Sequence, residues 1–152
     1  MLELGFKSNL SDLQAALLRA QIPGIETRRA ARQALAARYD DLLADVSGIR
    51  LPVLRPDVVS AHHLYTVRVD AARRDDVLAG LTERGIGVAV NFRPIHLLSY
   101  YRQHFGFAPG LCPQAEALGA ETISLPLYPS LSCDNQDRVV DALREVLESV
   151  RG

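Results

Sequence analysis

The densest run of chemistry-bearing side chains in this 152-residue chain is Asn91-Phe92-Arg93-Pro94-Ile95-His96-Leu97-Leu98-Ser99-Tyr100-Tyr101-Arg102. It leaves an extended stretch, turns at a proline and enters a helical pattern. An arginine, an imidazole and two phenol hydroxyls on such an edge can grip an anionic, hydroxylated ligand, because guanidinium pairs with oxyanions while hydroxyls and ring nitrogens trade hydrogen bonds. Pattern alone leaves a plainer alternative open: Tyr100 and Tyr101 as helix packing, and His96 as a satisfied turn residue. The remaining histidines are His62, His63 and His104. With Cys112 and Cys133 they show no H-x-x-x-H, H-E-x-x-H or paired-cysteine spacing, so no metal site is assigned. His62 and His63 open a strand, where neighbouring side chains point to opposite faces. No nucleophile elbow, Walker A loop or G-x-G-x-x-G is present. Only one of the 17 basic residues, Lys7, is a lysine, so chemistry that needs a lysine amine has a single candidate.

Charge and composition narrow the partners. The net charge of −1, from 17 basic and 18 acidic residues, offers no global field to nucleic acid or to an anionic membrane. Arg28, Arg29, Arg32 and Arg38 form a basic stretch, but Glu26, Asp40 and Asp41 balance it, as on an ordinary solvated helix face. No apolar run approaches the roughly 20 residues of a bilayer span. The first residues have neither a basic nor an apolar signal region. The expectation is a soluble cytoplasmic chain with reduced cysteines, folding as one domain with 48% hydrophobic residues to build its core.

The elements that must position the Asn91–Arg102 segment follow from periodicity. Ser11 with Gln14 is a capping-box pattern, and Leu13, Ala16, Leu17 and Ala20 follow at helical spacing. Pro23-Gly24 either kinks this helix or divides it. Leu35, Tyr39, Leu42, Leu43 and Val46 continue a helical stripe to Gly48, and Pro52 and Pro56 mark a loop. Residues 63–69 alternate as a strand, 75–84 read as a helix closed by Gly85, and 86–92 read as a second strand broken by Pro94. Residues 97–105 form a short helix, Pro113 opens another over 114–119, and 123–125 is a third strand. Ser132 caps a final helix whose apolar face runs from Val139 to Val150.

Several ordered stretches resemble the C-terminal part of the DegT/DnrJ/EryC1/StrS family, pyridoxal-phosphate (PLP) dependent aminotransferases that act on keto sugars attached to nucleotides. They are Gly5-Phe6-Lys7-Ser8-Asn9-Leu10-Ser11-Asp12-Leu13-Gln14, then Arg84-Gly85-Ile86-Gly87-Val88-Ala89-Val90-Asn91, then Pro94 to Arg102, then Ile123-Ser124-Leu125-Pro126-Leu127-Tyr128-Pro129. The resemblance implies an α+β fold: the small C-terminal domain of a type I aminotransferase, with a long N-terminal helix and a small, mostly antiparallel sheet covered by helices. Residues 1–50 would link and 51–152 would form the small domain, with the PLP-binding large domain absent.

The resemblance assigns no catalytic residue. Lys7 does not stand in the family's Schiff-base context. Asn9 and Lys7 stand where a side chain approaches the cofactor phosphate, and a donor near a helix start suits an anion. His96, Arg93, Tyr100 and Tyr101 match the part facing the nucleotide sugar; Asn91 does too, although the family often has histidine there. PLP is the implied cofactor, and a homodimer or a separate large-domain chain the implied partner. PLP chemistry needs a lysine amine, a carboxylate on the ring nitrogen and a phosphate cradle. The chain alone is therefore expected not to transaminate. A stand-alone nucleotide-sugar-binding module and an inactive fragment are the competing expectations.

Overall fold

The computed structural model describes residues 9–150. Helix α1 (Asp12–Gln21) starts in the expected capping box: the Ser11 hydroxyl accepts the Gln14 N–H at 3.3 Å, and Gln14 Oε1 accepts the Ser11 N–H at 3.0 Å. Pro23 neither ends the rod nor leaves it smooth. It sits in a single 3₁₀ turn, Ile22–Gly24, from which α2 (Ile25–Leu43) continues, because proline at a first turn forfeits no intrahelical donor. Helix α1 buries none of its residues, and Leu13 is 74% exposed. Helix α2 buries Ala36, Tyr39 and Leu43, with Leu35, Leu42 and Val46 packed alongside. Arginines of the basic stretch are engaged within the fold: Arg29 pairs with Glu26 at 2.8 Å, Arg32 donates to the Ala61 carbonyl at 3.0 Å, and Arg38 pairs with Asp137 at 2.7 Å.

The sheet is antiparallel throughout, in the order β1 (Ile49–Arg50), β2 (Tyr65–Val69), β3 (Thr122–Leu125). Tyr65 faces Leu125, Val67 faces Ile123 and Val69 faces Ile49, so one set of alternating residues enters the core. That face is covered by α2, α3 (Arg74–Glu83) and α6 (Cys133–Ser149). Helix α6 is capped by Ser132, which accepts the Asn135 N–H at 3.2 Å, and it buries Val139, Val140, Leu143 and Val146 as its periodicity predicts. Gly80 brings α3 close to it, since a Cβ there would lie 2.9 Å from Val146 Cγ1.

Two aromatic rings tie the linking helix to the sheet. Tyr39 stacks on Tyr65 with centroids 4.8 Å apart; its hydroxyl donates to the Pro126 carbonyl at 3.0 Å, and that of Tyr65 donates to Asp40 at 2.6 Å. Burial, ahead of the Asp40 contact at Tyr65, pushes both phenols well above their ordinary value, so both keep their protons.

Residues 86–92 do not form the expected second strand. Only Ala89 pairs, exchanging hydrogen bonds with Ser124 at 3.4 and 2.8 Å. Pro94 has no N–H to extend a ladder, and its ring drops into a notch over Gly119, where a Cβ would come within 2.5 Å of Pro94 Cδ. The chain therefore leaves the sheet edge. Strand β1, which sequence patterning passed over, takes the opposite edge.

Candidate functional site

The second face of the sheet, carrying Thr66 and Thr122, is roofed by residues 91–96, by α4 (Ser99–Phe105) and by α5 (Pro113–Glu121). Helix α4 follows a 3₁₀ turn at Ile95–Leu97 and closes at Gly106, whose φ of +67° needs glycine's freedom. Helix α5 begins at Pro113, as expected, behind Cys112. Between these elements lies a cleft of about 700 Å³. Its floor includes the Thr66 and Thr122 hydroxyl-bearing side chains, and Phe107, Leu111 and Leu118 give it an apolar wall. An apolar hollow with a few converging polar groups is the usual form of a small-molecule site.

Four of the residues put forward from sequence line this cleft: Asn91, Arg93, His96 and Tyr101. Arg93 is exposed and makes no ion pair or hydrogen bond among the described residues, so its guanidinium is free for an anion. Tyr100 is not in the lining; it stacks on His104, centroids 4.2 Å apart, while Tyr101 turns to the cleft and stacks on Phe105 at 5.9 Å. Asn9 is exposed ahead of the Ser11 cap, away from the cleft lining, and Lys7 lies outside the described residues. Cys112 and Cys133 are free, exposed thiols.

His96 is only 8% exposed, and its Nε2 lies 2.8 Å from Glu116 Oε1. The same carboxylate accepts the Gly110 N–H at 2.9 and 3.0 Å and the Cys112 N–H at 3.2 Å. The Gly110 bond first, then His96, holds the Glu116 carboxyl below the usual carboxylate range. One side chain thus joins the 91–96 segment, the 106–112 loop and α5. Sequence reasoning missed Glu116. The available signal was an acidic residue in a first helical turn behind Pro113, where unpaired N–H groups attract a carboxylate. What that signal lacks is the partner twenty positions upstream.

PLP asks for a lysine amine, a carboxylate on its ring nitrogen and a phosphate cradle. The described residues contain no lysine, and Glu116, the carboxylate beside the cleft, is already committed to three donors. By themselves they do not supply that set of groups. No helix among them is long and apolar enough to cross a membrane.

Known proteins share the sequence pattern and the fold of this chain. The sequence model of the DegT/DnrJ/EryC1/StrS aminotransferase family matches residues 1–144. The spore coat polysaccharide biosynthesis protein SpsC of Bacillus subtilis (strain 168) is 35% identical over 149 residues, which are 95% of this chain and 38% of SpsC. DesV of S. venezuelae, solved in complex with a ketimine intermediate, is 40% identical with a TM-score of 0.79 over 88% of this chain and 35% of its own. NtdA of Bacillus subtilis, solved with bound cofactor PMP, is 28% identical with a TM-score of 0.81 over 97% of this chain and 35% of its own. This chain thus spans little more than a third of the length of the proteins it matches. The helical rod, the antiparallel sheet and the covering helices are the α+β arrangement of these structures, and PLP is the cofactor their family implies. The chain belongs to the DegT/DnrJ/EryC1/StrS aminotransferase family.

Proposed function

We propose that this chain forms the substrate-side wall of a cytoplasmic PLP-dependent aminotransferase for nucleotide-linked keto sugars, and that it does not transaminate alone. The observation that carries the reading is the unpaired Arg93 guanidinium on the rim of a cleft lined by Asn91, His96 and Tyr101. A guanidinium fork suits the oxygens of a diphosphate, and the amide, imidazole and phenol suit sugar hydroxyls. Tyr100, stacked on His104, shapes the wall from outside. Asn9 and Lys7 donate toward the cofactor phosphate, and PLP, when bound, supplies the electron sink for amino transfer. The Schiff-base lysine comes from a large domain in the same protein or in a companion chain.

The exposed side chains of Leu13 and Leu17 on α1 and of Ile22 in the turn that follows fit that arrangement, since an apolar stripe on an otherwise unpacked helix needs a cover. The large domain, or the second subunit of a homodimer, provides it. The test is to incubate the isolated chain with PLP, reduce with borohydride and weigh the intact protein beside Lys7→Ala. The expected result is no stoichiometric adduct. A single adduct that disappears in Lys7→Ala, or turnover of a keto sugar by this chain with glutamate and PLP, overturns the reading.

A further inference from the structure

The bond between His96 and Glu116 has a direction. All other partners of the Glu116 carboxylate are backbone N–H groups, from Gly110 and Cys112, and an ionised carboxylate can only accept. The imidazole must then bring the proton on Nε2, which lies 2.8 Å away. A neutral ring protonated at Nε2 is bare at Nδ1. Among the described residues Nδ1 has no hydrogen-bond partner, and it is not one of their fully buried unpartnered atoms, of which Ser124 Oγ is the one. His96 lines the cleft.

We propose that Glu116 is a positioning residue of this cleft: it locks His96 as the Nε2–H tautomer, so that Nδ1 stands ready as a hydrogen-bond acceptor for a sugar hydroxyl. The inference rests on the sugar-nucleotide reading of the cleft. It adds a residue that touches no substrate and acts through the imidazole, in the way that outer partners set the tautomer of a functional histidine. A clamp serving stability alone needs the same Nε2 proton but leaves Nδ1 without a task, so ligand affinity in His96→Gln separates the two roles.

The experiment uses the complete protein that carries this chain, labelled with ¹⁵N. Long-range proton–nitrogen spectra are recorded near pH 9. The His96 ring is assigned by its loss in His96→Gln. The expected spectrum shows a protonated Nε2 and a bare Nδ1, and Glu116→Gln moves both signals toward a mixture, because an amide can donate or accept. A ring protonated at Nδ1, or signals unmoved in a folded Glu116→Gln protein, overturns the lock.

Should Glu116→Gln not fold, His96→Gln carries the test. Its amide keeps a donor at the Nε2 position and lacks the acceptor at Nδ1. UDP-glucose and TDP-glucose are the probes, with Kd measured by calorimetry. Losing one hydrogen bond weakens the probe that binds about two- to tenfold. An unchanged Kd overturns the role of Nδ1. If neither probe binds the unsubstituted protein, the sugar-nucleotide reading fails and takes that role with it, while the tautomer lock is still judged from the spectra.

Discussion

Replacing Gly119 with alanine separates helix energetics from the geometry of the site. In α5, alanine is intrinsically favoured over glycine by about 1 kcal/mol. The added Cβ, however, would lie 2.5 Å from Pro94 Cδ, 3.0 Å from Pro94 Cγ and 3.2 Å from the Phe92 carbonyl oxygen. Ordinary carbon–carbon contact is about 3.5–4.0 Å, so the Pro94 ring must withdraw by roughly 1 Å or more. A proline ring cannot swing aside on a flexible stem, so its backbone moves with it. Overpacking of this kind costs about 1–3 kcal/mol. Set against the helix gain, the net change in stability is about 0–2 kcal/mol of loss.

The larger effect falls on the cleft. Arg93 and His96 flank Pro94, and a misplacement of about 1 Å at a site can cost about a hundredfold in rate. The assay is paired: urea unfolding for stability, and Kd and kcat/KM of the complete enzyme for a nucleotide sugar. The expected outcome is an unfolding free energy unchanged or lowered by at most about 2 kcal/mol, with at least a tenfold loss of kcat/KM. A variant stabilised by the full helix gain of about 1 kcal/mol, with ligand handling unchanged, would refute the argument that the Pro94–Gly119 contact places the loop.

Arg93→Ala removes the free guanidinium; a charge-assisted bond is worth about 1.5–3 kcal/mol, so nucleotide-sugar Kd should rise about tenfold or more while thermal unfolding stays unchanged. The carboxyl of Glu116 is held low in the folded state, so its contribution to stability is complete above the unfolded value of about 4.3 and is lost as pH falls from there through the folded value. Urea midpoints taken from pH 6 down to about pH 3 should therefore decline less steeply in Glu116→Gln than in the unsubstituted protein, and parallel curves would contradict the assignment. Tyr39→Phe keeps the stack on Tyr65 but strands the Pro126 carbonyl; the expected loss is about 1–3 kcal/mol by urea unfolding, without loss of the fold.

The elements legible from sequence are those whose rule is local. Ser11 and Ser132 cap the helices they precede because a hydroxyl and the N–H three residues on are already within reach. The stripe from Val139 to Val146 lies on one face at 3.6 residues per turn wherever α6 is placed. The alternation of Tyr65, Val67 and Val69 is likewise intrinsic to an extended chain. The family resemblance belongs with these, because it rests on ordered local motifs.

Partner-dependent features were not legible. Residues 86–92 have strand composition, but a ladder also needs an edge to follow, and Pro94 seated over Gly119 takes the chain away after one bridge. Ile49 and Arg50 look like the end of a loop and become β1 because β2 leaves an edge open beside them. Tyr100 and Tyr101 are indistinguishable by pattern; successive helical side chains diverge by about 100°, so only one can enter the cleft, and the seating of α4 selects Tyr101. Glu116 reads as one more helix-start acid until the fold brings it to His96. Sequence by itself determined the helices, the caps and the family. Tertiary structure alone decided which polar groups meet, since a hydrogen bond between residues 20 positions apart depends on everything folded between them.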